Sequence, residues 1–341
     1  MICKGSRIVR ASNHYNVKVD SGGMKRKSVL TLMVCTSIFP ELFTGNTPVL
    51  AFLNPGTLVF LLLGYGLYVL VVREFAVRLR LGVSGLALLG VAYGVVNEAF
   101  IAKTLITREP HPLHQFSGYL VLLGFNCAWA AVILLWHAFA SVVFPVMLTY
   151  LCFPQVQNVP WVKSRHLMIL SAVLAVFAIF VFLRAPYNGT TGTLAQLAVG
   201  LIAIAACVVL AIWFPGKQPS LDTTCGKAAV LLGLSVLGPT IVFFALAGAK
   251  VNAALFFTLY IVVIVLYNRL MIQRGWEQLP AILYFGIGWY AQNAFISCTV
   301  SLGNPLNALL MAVVDFSLLM VTWLTVSRRS ACSSEIKDWP P

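Results

Sequence analysis

Long apolar stretches separated by short polar gaps run through nearly the whole chain. Each approaches the roughly 20 residues a helix needs to cross a hydrocarbon core. The pattern predicts helices at about 28–43, 56–72, 84–106, 116–140, 167–183, 194–214, 228–248, 252–268, 279–298 and 306–326. Two stretches depart from the simple form. The first is short and ends in Pro40-Glu41, so it reads as tilted, interfacial or re-entrant. The apolar stretch 116–153 is too long for one crossing, and Pro145 and Pro154 predict an early helix end, with the remainder lying along the surface. The expected fold is therefore all-α: a polytopic transmembrane bundle of about ten spans at 28–326. A basic tail at 1–27 precedes it and a second tail at 327–341 follows, with Met24 an alternative start.

Composition narrows the solvent. Of 341 residues, 60% are hydrophobic and 10% charged. So few charges cannot cover a water-facing surface, and lipid must be the solvent. The net charge of +13 is no nucleic-acid footprint, because the basic residues form no stripe on an amphipathic element. Nineteen of the 23 Lys and Arg lie in every second gap, at 1–27, 73–83, 152–166, 215–227, 269–278 and 327–341. The intervening gaps hold Arg108, Arg184 and Lys250, and Lys103 lies inside a span. Cytoplasmic loops carry the excess of Lys and Arg, which predicts that both termini lie on the cytoplasmic side of a plasma (inner) membrane. The bilayer is the expected partner, and nothing in the sequence fixes an oligomeric state. The eight cysteines include no Cys-x-x-Cys and none in an outer gap, so neither a disulfide framework nor zinc is expected.

Candidate chemistry rests on ionisable groups at membrane depth, which cost about 2.5–3.5 kcal/mol each to insert. Two acids qualify, Glu98 and Asp315. Gly90, Gly94 and Glu98 are spaced to share one helix face, and glycines there let a neighbouring helix come close. Glu98 is thus expected to face the bundle. Counting residues outward from a loop centred near His111 sets Asn126 level with Glu98. The same count puts His137 about 17 Å deeper, nearer Arg73 and Glu74, and predicts no contact with Glu98. It also groups Asp315 with Gln292 and Asn293. A lone acid in a bundle can equally serve as neutral helix glue. Glu109, His111 and His114 read as an outer loop before a metal site, Asn188-Gly189-Thr190 reads as a turn, and Lys103 as a snorkelling side chain. No nucleotide, phosphate-loop or cofactor motif occurs.

The run Phe39-Pro40-Glu41-Leu42-Phe43-Thr44-Gly45-Asn46-Thr47-Pro48, followed by Asn97-Glu98 and Trp136-His137-Ala138, resembles a group of uncharacterised prokaryotic multi-pass proteins. An acid with a helix-borne histidine 39 residues on is also similar to the CAAX-protease and bacteriocin-processing family. That resemblance implies an intramembrane protease in which a glutamate activates water and histidines and an asparagine assist. Asn97 replaces the first Glu of the family's Glu-Glu-x-x-x-Arg, Ala102 holds its Arg position, and Ile133 to His137 would be its Phe-x-x-x-His. The third motif is missing, since Leu170 follows His166 at the Asn position. The sequence favours a permease with a polar path for a small solute or protons along Glu98, Asn97, Asn126, Asn293 and Asp315. A divergent intramembrane hydrolase using Glu98 and His137 is the alternative, and a non-catalytic scaffold a third.

Overall fold

The computed structural model describes residues 21–45, 47–106, 113–184, 191–220, 227–273, 275–300 and 304–337. Glu109, His111 and Asn188 to Thr190 lie outside them. Ten long helices follow one another: α1 (Ser21–Thr44), α2 (Pro55–Arg78), α3 (Val83–Ile101), α4 (Cys127–Cys152), α5 (Ser164–Arg184), α6 (Leu194–Trp213), α7 (Ala229–Gly248), α8 (Ala253–Gln273), α9 (Leu279–Val300) and α10 (Pro305–Lys337). Among the described residues nine helices are long and apolar enough to cross a membrane. The tenth, α9, is the most enclosed: Ala281, Ile282 and Leu283 are fully buried, and it packs against α1, α4, α7 and α10.

Local chemistry explains the helix starts. Asn54 Oδ1 accepts from Gly56 N at 2.8 Å with Pro55 at the first helical position of α2. Asn304 does the same for α10, where Asn307 N donates at 3.2 Å. An Asx cap followed by proline satisfies orphan amides and presets φ. Thr193 and Gln196 form a reciprocal capping box at α6. Helix α1 begins inside the expected tail, so Lys25 to Lys27 are helical, and α10 runs well past residue 326.

The largest departure from the sequence reading lies before α4. The apolar run 116–126 is a short 3₁₀ turn (His114–Phe116) and a hairpin, not helix. In the hairpin, β1 (Val121–Leu122) pairs antiparallel with β2 (Phe125–Asn126). Its two-residue turn, Leu123-Gly124, has φ of +52° and +79°, as a type I′ turn requires. Helix α4 therefore starts at Cys127, with Asn126 as its cap, and continues through Pro145 to Cys152. Proline inside a helix clashes with the carbonyl four residues back. Here a π-helical turn, His137–Val143, precedes Pro145 and widens the helix at that point.

Two close approaches hold the bundle together. A Cβ on Gly90 would lie 2.7 Å from Ala138 Cα, and one on Gly94 would lie 3.1 Å from His137 Cβ. Helices α3 and α4 thus touch, antiparallel, along the glycine face read from the sequence. Gly233 of α7 and Gly288 of α9 meet the facing backbone in the same way. At the basic end, the fully buried Arg73 donates to the carbonyls of Val156 (3.1 Å), Gln157 (2.7 Å) and Val159 (3.0 Å) and lies 3.5 Å from the Trp161 ring centroid. Glu74 accepts from Arg73 at 2.6 Å, from Trp161 N at 2.8 Å and from Arg78. Every charge in that buried cluster is paired, and the cluster pins the turn between α4 and α5.

Candidate functional site

Near the other end of the bundle, α1, α2, α3 and α4 enclose a polar network. Its centre is a carboxylate–imidazole pair: Glu98 Oε1 lies 2.7 Å from His137 Nε2, with both side chains buried. The expected separation of these two residues is overturned, for two reasons. The residues counted as the first three turns of α4 are hairpin, so His137 is ten residues from the helix start. Side chains also lean toward the N-terminus of their own helix, and in an antiparallel pair they lean toward each other. With Gly94 against His137, the Glu98 carboxylate reaches down one turn and meets the imidazole reaching up.

The hydrogen-bond roles follow from which atoms can only donate. Trp129 Nε1 donates to Thr104 Oγ1 at 2.9 Å, so the Thr104 hydroxyl hydrogen goes to Glu98 Oε2. Glu98 Oε1 accepts from Asn97 Nδ2 at 3.4 Å. Both oxygens act as acceptors, which suits an ionised carboxylate receiving Nε2–H of His137. His137 Nδ1 then faces Ser141 Oγ at 3.0 Å, one turn along α4. Asn97 Nδ2 also lies 3.2 Å from His137 Nε2 and 3.5 Å from the Tyr65 hydroxyl. Tyr65 donates to Glu41 Oε1, and Thr47 Oγ1 donates to Glu41 Oε2 at 2.5 Å. Two buried carboxylates are thus joined through a phenol, an amide and an imidazole. The Tyr93 ring stands edge-on to His137 at 5.5 Å and closes the group from one side.

Five of these residues sit on π-helical turns: Tyr65 on Leu62–Leu67, Asn97 and Glu98 on Val96–Ile101, His137 and Ser141 on His137–Val143. A π turn inserts one residue, rotates the side chains that follow, and recurs at functional sites. In α3 it is read from Ala102 N, which bonds Asn97 O at 2.7 Å, five residues back.

Other residues read from the sequence go elsewhere. Asn126 is spent on structure: its Oδ1 caps α4 through Trp129 N (2.9 Å) and its Nδ2 donates to Phe116 O (2.5 Å). Asn293 donates to its own helix at Trp289 O. Asp315 is 1% exposed, and neither oxygen receives a hydrogen bond; Gln292, 3% exposed, is in the same condition. Lys103 is buried, so it does not snorkel. His166 is exposed and apart from the network. Sequence reasoning passed over Glu41, Tyr65, Thr104 and Trp129. Glu41 did carry a clue, since it lies in the run 39–48 on which the resemblance to uncharacterised membrane proteins rests. Among the described residues no group of three or more His, Cys, Asp and Glu could hold a metal ion.

Comparison with known proteins gives a family and no activity. Residues 30–333 match the model of an uncharacterized membrane protein family. No curated protein and no solved structure matches the chain.

Proposed function

The chain belongs to that uncharacterized membrane protein family, whose description gives no chemistry, and we propose from the geometry that it is an intramembrane hydrolase. The observation that carries this reading is the Glu98–His137 contact of 2.7 Å, with both side chains buried between packed helices. It reverses the preference for a permease, which rested partly on keeping those two groups apart. Glu98 is the general base. It takes a proton from a water whose oxygen adds to a substrate carbonyl carbon. The oxyanion is held by His137 Nε2–H and the Asn97 amide, and Glu98 returns the proton to the leaving atom as the carbonyl–leaving-group bond breaks. Tyr65 and Glu41 hold Asn97 from the far side.

Purified protein in liposomes is incubated with a digest of membrane-protein peptides in ¹⁸O-water, and new C-termini are read by mass spectrometry. Wild type should incorporate label, and Glu98→Gln should lose it by roughly 10²–10⁴-fold, the usual worth of a general base. Equal incorporation by the two proteins would remove the hydrolase reading.

A second reading is favoured by one separate observation. The unpartnered Asp315 and Gln292 lie on α10 and α9, not in the Glu98 network, and suit a site for a transported proton or small solute.

A further inference from the structure

A cavity of about 270 Å³ opens at the basic end of the bundle, remote from Glu98 in the fold. Its floor is apolar, with Leu86 and Met147, and Tyr150, Asn158, Gln218 and Arg80 complete its walls and mouth. No acid lines it. From these features we propose that it binds an anionic phospholipid, phosphate on Arg80 and glycerol toward the apolar floor.

Backbone strain is the first support. Helix α2 ends in a Schellman motif: Leu81 N bonds Ala76 O at 2.8 Å and Arg80 N bonds Val77 O at 3.2 Å. The residue at that left-handed position is usually glycine, because a Cβ is strained there. This chain places arginine there, at φ +55°. Capping does not need that side chain, and glycine would do the backbone's work better. What arginine adds is a guanidinium at the cavity mouth.

The surroundings keep that cation available. Three other basic groups at that end are committed: Arg73 and Arg78 bond Glu74, and Lys217 pairs with Glu277 at 2.9 Å. Gln218 Nε2 donates to the carbonyls of Arg80 (3.1 Å) and Leu81 (2.9 Å), which fixes the loop while leaving the Arg80 side chain alone. The Tyr150 hydroxyl receives Arg73 Nε–H at 3.2 Å and donates to no described residue, so its hydrogen is unspent. A phosphodiester oxygen is the acceptor that a free guanidinium and an unspent hydroxyl suit. Basic pockets between membrane helices take anionic head groups in this way. A lipid is a better occupant than free phosphate because the cavity continues inward along apolar side chains, where a glycerol and acyl ester fit.

Arg80→Gly tests this, since it removes the cation at the one position where glycine is favoured. Thermal unfolding in detergent is followed with added phosphatidylglycerol, phosphatidylcholine or inorganic phosphate. Phosphatidylglycerol should stabilise wild type at concentrations at least tenfold below those phosphatidylcholine needs. Arg80→Gly should match or exceed the lipid-free Tm of wild type and lose that preference. Arg80→Asn, which also tolerates the left-handed backbone, should behave alike and serves if the glycine variant expresses poorly. A preference unchanged in both variants overturns the site. Equal stabilisation by inorganic phosphate alone overturns the lipid assignment.

Discussion

Buried polar residues in this protein fall into two kinds, and the difference is one of hydrogen-bond accounting. Arg73 is buried with both Nη nitrogens directed at carbonyls or a carboxylate, and Tyr150 takes the Nε–H. Such a group holds structure. Asp315 is buried with neither oxygen satisfied, a condition that costs about 1–3 kcal/mol. If Asp315 were only helix glue, its oxygens would have found donors. Asp315→Leu is therefore expected to raise stability by about 1–3 kcal/mol, or a few degrees in Tm for a chain of this size, while proton or solute flux into liposomes falls. A lower Tm would show that the acid has a structural partner after all.

Single elements show where the sequence was legible. All ten helices coincide with apolar stretches of the sequence, because a bilayer sets a minimum apolar length for a span, although α9 is less apolar than the other nine. The Asn-Pro and Thr-x-x-Gln starts are visible in the same way. The hairpin at 121–126 is not, because Tyr119-Leu-Val-Leu-Leu is as apolar as any span. Its signals were smaller: Gly118 and Gly124, both at positive φ, and Asn126 in cap position before Cys127. The π turns leave no mark on a 3.6-residue period at all. Since they orient Tyr65, Glu98 and His137, the residues of the candidate site could be named while their contacts could not. The glycine face between α3 and α4 supplies an element-scale test. Gly94→Leu must push Leu134 and His137 away and should lower Tm by the equivalent of about 1–3 kcal/mol, with loss of ¹⁸O incorporation. Gly64→Ala, where no atom lies within 4 Å, should do neither.

At the scale of the molecule, the alternation of Lys and Arg predicts a direction for every helix. Arg73, Arg80, Lys163 and Lys217 lie at one end of the bundle, and His114 and Lys250 at the other. In a variant lacking the eight native cysteines, one cysteine at Lys163 and another at His114 should react with an impermeant maleimide from opposite sides of the membrane. Labelling from the same side would break the topology on which these depths rest. The two ends also differ in character. The basic end is tied by buried ion pairs. The other carries the apolar hairpin tip, where Leu122 and Leu123 are 65% and 68% exposed.

At rest both oxygens of Glu98 and both of Glu41 already accept hydrogen bonds, while the neighbouring Tyr93 hydroxyl has no partner among the described residues. Anything entering must take over bonds that exist, so its binding energy is a difference between two nearly equal sums. A compound of the right shape that lacks a matching acceptor would leave Asn97 or His137 unpaired in a dry interior, and sites of that kind can reject such analogues by about 10⁴–10⁵-fold. Discrimination here would come from exchange, with selectivity high and resting affinity low.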